Sequence, residues 1–128
     1  MTSPIGNTLE DIMAAQIVPC LPVPALWPAN RRIDFIKIDV EGAEYTALAA
    51  CRDLIDRWHP IIASEFSPSL LQANSGVSGE EYLGFLACLG YRMSVIDGSD
   101  SPPEATIAGI MQAYERSDSD HIDILLVP

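Results

Sequence analysis

Basic residues are scarce in this chain: seven Lys and Arg stand against 18 Asp and Glu, a formal charge of −11. Such a surface repels phosphate backbones and anionic bilayers, which argues against nucleic acid and membranes as partners. Long apolar runs are missing too. No stretch approaches the roughly 20 residues that span a bilayer, and the opening MTSPIGNTLEDIM has neither the basic start nor the apolar segment of a secretory signal. The expectation is a cytoplasmic protein. The three cysteines, Cys20, Cys51 and Cys88, are far apart, with no C-x-x-C and no adjacent His; this argues against a zinc site and for reduced, mostly buried thiols. A glycine-rich phosphate or cofactor turn is absent as well, because Gly6, Gly76, Gly79, Gly84, Gly90, Gly98 and Gly109 make no G-x-G after a strand. No Ser-His-Asp spacing stands out, and no internal repeat is visible.

What is present is enough apolar material, 48% of 128 residues, for one modest domain. Residues 1–30 read as an N-terminal appendage: a short helix over 8–15 (TLEDIMAA, Thr8 as cap), then a connector over 18–30 whose Pro19, Pro22, Pro24 and Pro28 remove backbone donors and forbid helix. Residues 31–128 read as the α/β domain. IDFIKIDV (33–40) is a strand, and the apolar spacing of three and four over 43–58 is one helix stopped by Pro60. IIASEF (61–66) is a second strand, 67–79 a loop with one helical turn at 70–73, and 78–89 a helix capped by Ser78 with Glu81 and ended by Gly90. A third strand covers 91–96, a turn-rich loop 97–103, a helix 104–115, and HIDILLV (121–127) is the fourth strand. The alternation defines an α/β class, and the apolar runs in FIKI and ILLV suggest strands covered on both faces.

The chemistry concentrates in KIDVEGAE. Lys37 and Asp39 are two apart and so share a strand face, where a buried charged pair is expensive unless matched. Asp39 and Glu41 lie at the carboxyl end of their strand and Glu65 at that of the next, the end where open α/β sheets bind ligands. Three converging carboxylates would raise one toward general-base behaviour or hold a hard divalent cation. Purely structural roles compete with this: Lys37 pairing with Asp39, Glu44 on the solvent side of its helix, Glu65 capping a neighbouring helix. Gly42, at the strand-to-helix turn, permits positive φ or the close approach of a ligand. His59 reads as a helix-end residue, and His121 beside Asp120 and Asp123 as a solvated charge cluster rather than a weak metal site.

The run IDFIKIDVEGAEYTAL, followed by a Pro and a strand ending in Glu65, resembles the signature of the FkbM-type methyltransferases, D-x-I-K-I-D-V-E-G-x-E with a downstream P-x-I-x-x-E. TLEDI is similar to the T-L-D-D that precedes it there, with Glu10 in place of Asp. The resemblance implies a Rossmann-like class I methyltransferase sheet, strands ordered 3-2-1-4-5-7-6 with the last antiparallel, of which this chain would supply strands four to seven. It implies S-adenosylmethionine as methyl donor and a small-molecule or sugar hydroxyl as acceptor. Carried over by position, Asp39, Glu41 and Glu65 are the catalytic candidates, Asp39, Val40 and Gly42 the cofactor contacts, and Lys37 and Glu44 the substrate or support residues. No resident metal belongs to this reading.

The glycine turn and the ribose-binding acid of the first half have no counterpart here, so the expectation is a truncated or partner-dependent chain, either a homodimer or one that needs the missing N-terminal half. The alternative is a non-catalytic α/β module that dimerises through the open edge of its first strand.

Overall fold

The computed structural model describes residues 19–28 and 30–128. The helix expected over 8–15 lies outside them. Within the Pro-rich connector a four-residue helix forms, α1 (Val23–Leu26). The expectation of no helix there fails because Pro22 and Pro24 fall at the cap and in the first turn, where the backbone has no N–H bond to lose. The first strand, β1 (Phe35–Ile38), is shorter than the 33–40 its composition suggested.

The single helix expected over 43–58 is two, α2 (Glu44–Ala50) and α3 (Arg52–Trp58), broken at Cys51, which closes one and opens the other at φ −95°, ψ 7°. The apolar spacing survives the break, since Leu48, Cys51, Leu54 and Ile55 are all buried. β2 (Ile61–Phe66) runs where expected. The next loop holds a full helix, α4 (Pro68–Asn74), rather than one turn, again with Pro in the first turn. Ser78 and Glu81 close a reciprocal capping box on α5 (Gly79–Cys88). β3 (Arg92–Val95) follows, and β4 (Glu104–Ala105) takes the start of the expected last helix, leaving α6 (Ile107–Arg116) capped by Thr106. β5 (Ile122–Val127) closes the chain.

The strands form one sheet in the order β1-β2-β5-β3-β4. β1 and β2 are parallel; β5 runs antiparallel to both β2 and β3, and β4 returns antiparallel along β3. Thus β1-β2-β5-β3 reproduces the 4-5-7-6 order with an antiparallel last strand, and β4 adds a fifth, outer strand.

Alternation along each strand divides the sheet into two unlike faces. Ile38, Ile62, Phe66, Met93, Ile124 and Leu126 are buried with helix residues Leu48, Ile55, Leu71, Tyr82, Leu86 and Ile110 in one core. The opposite face carries Phe35, Lys37, Ile61 and Asp123, all exposed among the described residues. Coverage of both faces, inferred from FIKI and ILLV, is therefore not found: the burial pattern of β5 alternates, and β1 is an edge strand. The thiols differ from expectation too. All three are free, but only Cys51 is buried, because Cys20 lies in the exposed connector and Cys88 on the outer side of α5. No helix among the described residues is long and apolar enough to cross a membrane.

Candidate functional site

The turn after β1 is tightly constrained. Glu41 and Gly42 both have positive φ, 53° and 90°, and the Ala43 N–H donates to the Val40 carbonyl at 3.1 Å. Two successive left-handed residues spanned by such a bond are the mark of a mirror-image tight turn. A non-glycine in that region is strained, and such strain persists only where surroundings enforce it. Here they do. Glu44, almost fully buried, accepts from the N–H groups of Val40 (2.9 Å) and Gly42 (3.3 Å) through Oε1. From the end of α4, Asn74 Nδ2 donates to the Glu41 carbonyl, and Ser75 Oγ to that of Gly42 at 2.6 Å. A Cβ on Gly42 would lie 2.3 Å from the Leu70 backbone. Its glycine requirement therefore comes from packing against α4.

Glu44 accordingly does not face solvent, as its structural alternative had it; it supports the turn. Lys37 and Asp39 do share a face, with Lys37 Nζ donating to Asp39 Oδ2 at 2.9 Å, yet both side chains are substantially exposed. The pair is not buried because no described element covers that face.

The parallel register sets Ile38 beside Ser64, and the same offset carried one residue on sets Asp39 beside Glu65. Glu65 in turn pairs directly with Asp123 of β5. The groups are close enough to shape each other's ionisation. The hydrogen bond and charge of Lys37 hold Asp39 below the ordinary carboxylate range, and a hydrogen bond from Glu65 adds to this. Burial pushes Glu65 up, reinforced by the negative charges of Asp39, Glu41 and Glu44 and opposed by His121. One carboxyl is thus kept ionised and its neighbour made readier to hold a proton, the division of roles that acid–base sites use.

His121 is the residue sequence reasoning set aside. It precedes β5, and because β5 is antiparallel its beginning lies at the carboxyl ends of β1 and β2. Alternation puts His121 on the same face as Asp123 and Glu65. Its Nδ1 is 2.8 Å from Asp120 Oδ1, and that hydrogen bond, followed by the charges of Glu65 and Asp123, raises its pKa. The antiparallel last strand implied by the family resemblance was the signal that could have found it. His59 ends α3 in the left-handed conformation, its N–H bonded to the Ile55 carbonyl.

The arrangement fits a cationic ligand. A sulfonium or ammonium group is favoured beside Asp39, Glu41 and Glu65, whereas the N–H groups of Val40 and Gly42 are already taken by Glu44. Val40 itself is partly exposed and lines an apolar groove of about 420 Å³ between α1, β1 and α2, with Trp27, Phe35 and Leu48. The groove lies along the outer side of β1, beside the carboxylates rather than over them. Among the described residues no group of three or more His, Cys, Asp or Glu side chains is arranged to hold a metal ion.

The sheet order is consistent with part of a methyltransferase-like α/β fold. The family described as "Methyltransferase FkbM domain" matches residues 2–93, and the chain belongs to it. No curated protein and no solved structure matches significantly.

Proposed function

We propose that the chain acts in the transfer of a methyl group from S-adenosylmethionine to a hydroxyl of a small molecule or sugar. The observation that carries this reading is the adjacency of Asp39 and Glu65 at the carboxyl ends of the parallel pair β1 and β2. Methyl transfer needs in-line placement of donor and acceptor and a sink for the hydroxyl proton; the donor supplies an electrophilic methyl carbon on a sulfonium. In this assignment Asp39, with Val40 and Gly42, holds the donor side by charge and by the shape of the turn. Glu41 and Glu65 flank the acceptor, Lys37 keeps Asp39 ionised, and Glu44 fixes the turn that aims them.

Calorimetry with S-adenosylmethionine tests it. Weak binding is expected from this chain alone, weakened further by roughly tenfold or more in Asp39→Asn, the loss of one charge-assisted interaction. A folded chain giving no heat at millimolar cofactor overturns the reading.

The edge of β1, which pairs on one side only among the described residues, supports a second reading, a non-catalytic module that dimerises through this edge with a second copy. Phe35 is 56% exposed there. A concentration-dependent dimer in sedimentation, without cofactor binding, would favour it.

A further inference from the structure

We infer that His121, oriented by Asp120, is the group that takes the proton from the acceptor hydroxyl. The inference rests on the methyl-transfer reading and names, within it, the group that receives the hydroxyl proton. Asp39 is held as an anion by Lys37 Nζ at 2.9 Å. Glu65 stands between Asp39 and Asp123 across the sheet, and burial together with the charge of Asp39 raises its pKa. His121 is the neighbouring base with a free lone pair. Asp120 Oδ1 lies 2.8 Å from Nδ1, so the neutral ring carries its proton on Nδ1 and leaves Nε2 bare.

Asp120 is itself anchored, its carbonyl accepting from Ser67 Oγ at 2.8 Å, which ties the loop before β5 to the end of β2. The His121 N–H reaches Ser119 Oγ at 3.4 Å. The imidazole is partly exposed, 44% of its side chain, so a small molecule can reach it. The charged groups around it are Asp120 on its own loop, Asp123 on β5, Glu65 on β2 and Asp39 after β1. All are acidic, and they favour the imidazolium that proton transfer creates.

The step balances. The acceptor oxygen bonds to the methyl carbon as its proton passes to Nε2; the carbon–sulfur bond breaks with its electron pair going to sulfur, which turns from sulfonium to neutral thioether. The imidazolium then loses its proton to water.

Two measurements on the full chain test this. In a His59→Asn background one imidazole remains, and its nitrogen NMR shifts should report the Nδ1–H tautomer at high pH, moving toward Nε2–H in Asp120→Asn. An Nε2–H tautomer in the parent overturns the proposal. Formation of S-adenosylhomocysteine from S-adenosylmethionine is then followed with a panel of monosaccharides. His121→Gln should lower turnover by about 10²- to 10⁴-fold, abolish the acidic limb of the pH profile and leave cofactor affinity unchanged. Retained turnover in His121→Gln with intact cofactor binding overturns this inference alone. Absence of cofactor binding in the parent overturns the methyl-transfer reading, and this inference with it.

Discussion

Two glycines with nearly the same backbone separate conformational from steric demand. Gly42 and Gly90 have φ of 90° and 88°, but a Cβ on Gly42 meets the Leu70 backbone whereas one on Gly90 meets nothing within 4 Å. Gly90→Ala should therefore cost only the left-handed strain, about 1–2 kcal/mol. Gly42→Ala should cost more, since α4 must also move, and thermal denaturation of the two variants measures the difference. At His121 the prediction concerns pH. Its folded pKa is raised from 6.5, so the stability it contributes is complete below that value and is lost as pH rises through the folded one. Asp120 is lowered from 3.8, so its share is present above that value and is lost as pH falls through its own folded pKa. His121→Gln should fall below the parent most between about pH 4 and 6.5 and converge with it at alkaline pH, in urea unfolding followed across pH.

Among the elements, those governed by local chemistry were the legible ones. IIASEF reads as a strand from its composition and is one; Ser78 and Glu81 announce a capping box that the structure forms in both directions. Ser78→Ala should lower stability by about 0.5–2 kcal/mol, measurable by chemical denaturation. Where longer-range contacts decide, sequence spacing misleads. The stripe over 43–58 is continuous in its burial, so nothing in it signals the break at Cys51. β4 is two residues long and exists only through its pairing with β3. The site was half legible for the same reason. Asp39 and Glu65 follow from two successive parallel strands, but His121 joins them only through the β2–β5 register, a pairing between segments more than fifty residues apart. Glu44 was legible as a charge beside the strand end, while its burial as the acceptor for two backbone N–H groups was not.

At the scale of the whole sheet, the dominant feature among the described residues is asymmetry: helices cover one face, and β1 leaves an edge with Phe35 and Val40 exposed. Unpaired edges of this kind recruit further strands. The residues around it are locally balanced, Arg31, Arg32 and Lys37 against Asp34, Asp39 and Glu41, within a chain of net charge −11. Added salt should therefore promote self-association by screening the general repulsion. Phe35→Lys should reduce it by placing a charge on the edge, as sedimentation velocity at several protein concentrations would show. An unchanged distribution in Phe35→Lys would exclude this edge as the contact.

Trp27 stands over the same groove, its indole N–H donating to the Arg31 carbonyl at 2.8 Å and the Arg31 guanidinium 4.8 Å from its ring. With Trp58 replaced by Phe, its fluorescence becomes a built-in optical reporter: anything that settles along β1 and excludes water there should shift the emission to shorter wavelength, and iodide quenching should fall in step.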